Sequence, residues 1–189
     1  MVAADAEAEI WPFPHKFDYI HLRMTISCFH SRPKVFANCF ANLKPGGWIE
    51  LQDTDFAILS DDGSSRGTAL DTWCRDLVKG AKVVGRNLND TREYARMLRE
   101  TGFVDIVEEQ IRVPWSEWSS DPKLKELGRL QALNSRKGGH GVSTKILAAV
   151  GYKEAEISDL LGKVREDLSN TDIHAYSPLY AVYGRKPLS

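Results

Sequence analysis

Cysteine is scarce in this 189-residue chain: Cys28, Cys39 and Cys74 are the whole set, an odd number with no CxxC pair. That spacing builds neither a disulfide framework nor a thiolate metal site, so small buried side chains in a reducing compartment are expected. No apolar run is long enough to span a bilayer. The N-terminal residues, Met1 to Glu7, are acidic and lack the basic-then-apolar order of a signal peptide. A cytoplasmic protein is therefore the expectation, with the nucleus open. Basic clusters are missing as well: 25 basic and 26 acidic residues are spread along the chain and leave a net charge of −1. Neither a nucleic-acid surface nor a membrane surface is expected from such a balance. There is no internal repeat, no low-complexity linker and no GxSxG nucleophile motif. His30 and His140 have no ligand-spaced companions, so no metal site is expected.

What is present is the profile of a soluble globular protein, 42% hydrophobic and 27% charged. The length suits one domain with a real core, spanning residues 1–189. Residues 17–22 are aromatic and β-branched and read as a strand. Pro33 opens a helix in which Val35, Phe36, Cys39, Phe40 and Leu43 recur at three- and four-residue steps. Lys44-Pro45-Gly46-Gly47 reads as its stop, and residues 48–53 as a second strand. Thr68 caps a predicted helix reaching to about Val84, with Leu70, Trp73, Leu77, Val78 and Ala81 on one face. A further helix starts at Asp90 or Thr91 and closes at Gly102. Residues 103–113 form a third predicted strand and residues 179–184 a last one. Between these, three helical stretches are expected, at about 122–133, 144–150 and 154–168. Gly138-Gly139-His140-Gly141 reads as a flexible joint between the first two, and residues 115–170 as a helical lid or insert.

Strand, helix, strand, helices, strand, helices, strand is an α/β order, with the first two strands parallel. The run from Phe17 to Met24, followed by Leu43-Lys44-Pro45-Gly46-Gly47-Trp48-Ile49-Glu50, resembles the fourth and fifth strands of class I S-adenosylmethionine-dependent methyltransferases. Further along, Asp61-Asp62-Gly63, Gly85 to Asn89, Leu124 to Gly128 and the ending from Ile173 to Pro187 are similar to fungal LaeA-type methyltransferase-like proteins. The resemblance runs from about Asp5 to Pro187. It implies a Rossmann-like sheet that lacks its first strands, with added helices between the later ones. The third strand here would neighbour the last, antiparallel one. A role in fungal secondary metabolism is implied too, in tailoring or in regulation.

In that fold the cofactor lies at the carboxyl ends of the strands, across the topological switch point. The resemblance implies a GxGxG-type turn after the first strand and an acidic ribose-binding residue after the second. The sixteen residues before Phe17 contain no glycine. Gly46-Gly47 leads into a strand instead of following one. Ala4-Asp5-Ala6-Glu7 matches the segment that touches adenine in the family, which leaves Asp5 as a cofactor-contact remnant or as a solvated acid. No cofactor is expected on this chain alone, and S-adenosylmethionine only if the missing strands are supplied. The strand at 17–22 would be a free edge, open to a homodimer or a partner chain.

His21 and Arg23 fall at the carboxyl end of the first strand, where they contact a substrate or else pack and pair within the sheet. Gln52, Asp53 and Asp55 fall at the end of the second. Asp53 could act as a general base or orient a substrate hydroxyl; it could equally cap the next turn. Trp115 reads as a packing residue or a substrate wall. His174 and Tyr176, just before the last strand, could line a substrate pocket or form a hydrogen-bonded pair. Three functions stand open. One is a cofactor-independent cyclase or pericyclase acting on a polyketide or terpenoid intermediate. Another is a fragment of a genuine methyltransferase. The third is a regulatory or partner-binding protein.

Overall fold

Ser31 and Pro33 set where the first helix begins. In the computed structural model, which describes residues 4–188, Ser31 is extended and its hydroxyl accepts from the amide of Lys34, while proline lies in the first turn. Proline costs nothing there, because that amide has no intrahelical partner. Met1 to Ala3, the start of the acidic segment, lie outside the described residues. The elements are β1 (Phe17–Arg23), α1 (Arg32–Asn42), β2 (Leu43–Thr54), α2 (Ala69–Val83), α3 (Tyr94–Thr101), β3 (Val104–Pro114), α4 (Pro122–Ala148), α5 (Glu154–Asp167) and β4 (Tyr176–Arg185). A short 3-10 turn, Thr91–Glu93, leads into α3.

The four strands form one mixed sheet in the order β1-β2-β4-β3. β1 and β2 are parallel. Gly46 donates its amide to Lys186 near the start of β2, and Asp55 donates to Pro178 just past its end, so β4 runs antiparallel to β2. β3 lies at one edge beside β4, the neighbour relation implied by the resemblance. β1 lies at the other edge.

The described residues fold as two compact units. The first comprises residues up to 54, 90–111 and from 180 onward. Its core lies on one face of the sheet. Leu22, Ile49, Leu51 and Val182 point there and meet Val35, Phe36 and Cys39 of α1 and Tyr94 and Leu98 of α3. Burial alternates strictly along residues 47–54, with Ile49, Leu51 and Asp53 inward and Trp48, Glu50 and Gln52 on the other face. The second unit comprises residues 55–89 and 112–179. Here α2, α4 and α5 pack on one another in all three pairings.

Two sequence expectations change. Lys44-Pro45-Gly46-Gly47 does not separate helix from strand; it lies inside β2, which starts at Leu43. The register jumps from Phe17 opposite Leu43 to Tyr19 opposite Trp48, so these residues form a bulge. Gly46 makes it possible, with φ +79° and its amide bonded to Lys186. The second change concerns residues 138–141, which are no joint: α4 is one helix of 27 residues running straight through them. Tertiary packing overrides the low helix propensity of glycine. A β-carbon on Gly139 would lie 3.6 Å from both Trp73 and Leu161, an ordinary packing distance, so α4 is in contact with α2 and α5 at that point. One turn on, Ser143 accepts from the Trp73 indole at 2.7 Å.

Candidate functional site

The carboxyl ends of β1 and β2 form the rim on which an α/β sheet carries its ligands. Met24 follows β1 with φ +53°, a sharp turn for a non-glycine residue. That turn brings Thr25 under Asp53, whose carboxylate is fully buried. Asp53 accepts from the Thr25 amide at 2.5 Å, from the Thr25 hydroxyl at 2.9 Å and from the Tyr94 hydroxyl at 2.9 Å. Burial pushes the Tyr94 phenol well above its usual range. Beside it lies Arg32, which is 6% exposed. Its Nε donates to Asp90 at 2.7 Å, its NH2 group donates to the Ile26 carbonyl, and its guanidinium lies 5.0 Å from the Tyr94 ring centroid. Arg32, Tyr94, Asp53 and Thr25 thus tie the β1–α1 connection to α3. Nothing in the local sequence marks Arg32, because Asp90 lies 58 residues away.

The N-terminal segment is fixed to the same rim. Glu7 accepts from the amides of His30 and Ser31, the latter at 2.8 Å, and these bonds hold its carboxyl below the usual range. Asn38 donates to the carbonyls of Ala6 and Ala8, both at 2.9 Å. Asp5 is exposed and accepts from the amide of Glu7 at 2.9 Å, closing a local turn.

His21, Arg23 and Gln52 are brought together on the opposite face of the sheet. In the parallel register His21 pairs with Glu50 and Arg23 with Gln52. Tyr19 stacks on His21 with ring centroids 6.0 Å apart and donates to Glu50 at 2.6 Å. Gln52 donates to the other oxygen of Glu50. The Tyr19 hydroxyl holds the Glu50 carboxyl below its usual value, while desolvation and that same carboxylate push the Tyr19 phenol up to about 12. Tyr19, Glu50 and Gln52, with Trp48, Ile111 and Tyr183, line an open recess of about 490 Å³, whose lining does not include His21 or Arg23. Asp53 points away from it, into the core, so the rim residues split between the two faces.

Trp115, His174 and Tyr176 belong to the second unit. Trp115 is buried, donates to Ser177 at 2.8 Å and meets Trp73 edge-on at 6.1 Å. Tyr176 is buried too and donates to Asp61 at 2.8 Å, with the Arg112 guanidinium 4.7 Å from its ring centroid. Arg112 bonds that same carboxylate at 2.6 Å and holds it below the usual range. His174 meets Asp62 at 2.7 Å and donates its amide to Ser64. A recess of about 320 Å³ between α4 and the end of α5 is lined by Glu117, Lys125, Arg136 and Ser169, a polar surface instead of an apolar cavity. Among the described residues, no group of three or more His, Cys, Asp or Glu could hold a metal ion. None of the described helices is long and apolar enough to cross a membrane.

Comparison with known proteins adds a lineage to this geometry. A family model described as a methyltransferase domain matches residues 2–109. The probable methyltransferase tdiE of Emericella nidulans is 34% identical over 190 residues, covering 98% of this chain and 58% of that protein. The secondary metabolism regulator laeA of Monascus pilosus is 32% identical over 178 residues, covering 92% of this chain and 48% of the regulator. Among solved structures, the cyclase SpnF aligns with a TM-score of 0.51 at 15% identity, over 100% of this chain and 57% of SpnF. That likeness shows the fold alone. The chain therefore spans about half the length of the curated relatives it matches.

Proposed function

Since the chain belongs to the methyltransferase-domain family, we propose that it is a methyltransferase-like protein of fungal secondary metabolism that does not by itself hold S-adenosylmethionine or transfer a methyl group. One observation carries this reading. All three helices that follow a strand have first-turn amides already bonded by side chains of the chain itself. Ser31 bonds Lys34 in α1, Asp167 and Thr68 bond Leu70 and Asp71 in α2, and Asp121 bonds Lys123 and Leu124 in α4. A dinucleotide-type cradle needs such amides free behind a glycine turn, so that backbone can approach the ligand. The β1–α1 connection, residues 24–31, holds no glycine, and Glu7 covers its last two amides. A second carboxylate or a sulfonium-bearing amino acid has no such cradle to enter there.

The chemistry left to this chain is that of positioned polar side chains. His21, Arg23 and Gln52 on the first unit are one set of groups that would orient a polyketide or terpenoid intermediate for cyclisation, and His174 and Tyr176 on the second are a separate set. Asp53 serves the rim as its anchor instead of as a base, since three donors already surround it. A second reading, a portion of a genuine methyltransferase, is favoured by the 58% coverage of tdiE. In that case strands supplied from elsewhere would add at the β1 edge and bring the cofactor site with them. The same edge would take a second copy or a partner chain in a regulatory protein. Turnover separates the first of these readings from a genuine methyltransferase. With a fungal metabolite extract as acceptor pool, the chain should release no S-adenosylhomocysteine above a protein-free blank. Sustained release proportional to protein would overturn the proposal.

A further inference from the structure

The loop between β2 and α2 holds two adjacent carboxylates that do different work. Asp61 is taken by Arg112 and by the Tyr176 hydroxyl. Asp62 accepts the amide of Ser64 at 3.0 Å on one oxygen and faces His174 Nδ1 at 2.7 Å with the other. The loop is stiffened by the Ser60–Ser65 hydroxyl pair at 2.8 Å and by the Ser65 amide on Ser60. Ser64 also returns a bond, its hydroxyl accepting the His174 amide at 2.9 Å. The histidine is thus held at main chain and ring by two residues of one turn, 110 and 112 positions away. Its ring lies against Trp118 at 5.2 Å between centroids, and Trp118 is itself held by its indole donating to the Ala175 carbonyl at 2.8 Å.

An ionised carboxylate can only accept, so the bond to Asp62 requires the proton on Nδ1, and in the neutral ring this leaves the lone pair on Nε2. Asp62 stays ionised: the Ser64 amide, first, and then the Ser64 hydroxyl and His174 hold its carboxyl at about 2. Half of the His174 side chain remains exposed, 46%, so a ligand can reach the ring. Carboxylate, imidazole with its tautomer fixed, and a flat indole beside it are the parts of a general base with an aromatic platform.

We propose that Asp62 and His174 form a proton-transfer dyad, in which His174 Nε2 accepts the proton of a planar phenol or enol lying against Trp118. The O–H bond breaks and an Nε2–H bond forms, giving an oxyanion and an imidazolium. Nδ1 keeps its proton throughout and Asp62 remains a carboxylate that stabilises the cation. Asp62 is the positioning residue and His174 the catalytic one. Beside the dyad lies Asp61, which accepts from both Arg112 and the Tyr176 hydroxyl, with the guanidinium over the Tyr176 ring. This site stands apart from the cofactor reading, and neither outcome of a methyl-transfer assay changes it.

Nitrogen-15 correlation spectra of the full chain at pH about 8.5, where imidazoles are neutral, read the tautomer directly. His174 is expected as Nδ1–H with an unprotonated Nε2. In Asp62→Asn the Ser64 amide keeps the side-chain oxygen as its acceptor, so the NH2 faces Nδ1 and donates to it, which inverts His174 to Nε2–H. Asp61→Asn leaves it unchanged, and the amide spectrum of each variant reports that it is folded. Titration with 4-nitrophenol, whose phenolate absorbs apart from the phenol, then reads proton transfer. The wild-type chain should raise the phenolate signal saturably, and His174→Gln and Asp62→Asn should abolish that rise. A wild-type His174 in the Nε2–H form, a tautomer indifferent to Asp62→Asn, or a phenolate signal equal in all three proteins would each overturn the dyad.

Discussion

Replacing Arg32 with methionine should cost about 3–5 kcal/mol of stability, the range for removing one partner of a buried ion pair. The guanidinium is 6% exposed and Asp90 13%. Methionine fills much of the space but removes the Nε donor from Asp90, the donor from the Ile26 carbonyl and the guanidinium from the Tyr94 face. Such a loss is a large part of the 5–15 kcal/mol that holds an ordinary domain together. Arg32→Lys should restore only part of it, because an ammonium cannot reach Asp90 and Ile26 with the planar fork of a guanidinium. The comparison within the same unit is Arg96, whose pairs with Glu93 and Glu100 are exposed. Arg96→Ala should cost no more than about 0.5 kcal/mol. Urea denaturation followed by tryptophan emission measures both, and equal effects at the two arginines would mean that the buried network does not hold the rim.

The second large effect concerns glycine inside helices. Gly128→Ala should destabilise by about 1–3 kcal/mol, as overpacking does in a close-packed interior. Its β-carbon would fall 1.9 Å from the Ser116 carbonyl oxygen, a backbone atom with no rotamer to give way. Gly80→Ala meets the same obstacle at 2.2 Å from the Ile146 carbonyl oxygen. By contrast, Gly138 and Gly141 have nothing within 4 Å of an added β-carbon. Both lie in α4, so alanine there should stabilise by up to about 1 kcal/mol through helix propensity alone. Thermal unfolding by circular dichroism gives the four signs. A stabilising Gly128→Ala would show that α4 does not pack on the 114–116 segment as described.

The same glycines explain where sequence and structure part. Periodicity and caps are local, so Thr68 and Gly102 marked the ends of α2 and α3 correctly, and Pro33 the start of α1. Gly138 to Gly141 carry a local signal for a break, but Gly139 packs against Trp73 and Leu161, contacts that no window of sequence contains. Lys44 to Gly47 misled for a similar reason: the bulge in β2 is closed by Lys186 from the far end of the chain. The rim was legible as far as strand ends reveal it, which placed His21, Arg23, Gln52 and Asp53 there. Their division was not. Alternation puts Gln52 and Asp53 on opposite faces, and the Tyr94 and Thr25 bonds show that the acid faces the core. Asp62 stands in the sequence only as part of the Asp61-Asp62-Gly63 motif, because its partner, His174, is 112 residues away.

The account turns on whether this chain holds the methyl donor, and calorimetric titration of the folded protein with S-adenosylmethionine and S-adenosylhomocysteine tests that most directly. The occupied helix termini and the glycine-free β1–α1 connection predict no saturable heat with either ligand, from a protein whose circular dichroism shows it folded. Saturable binding at one site per chain, or per dimer, would contradict the account and make methyl transfer the leading function.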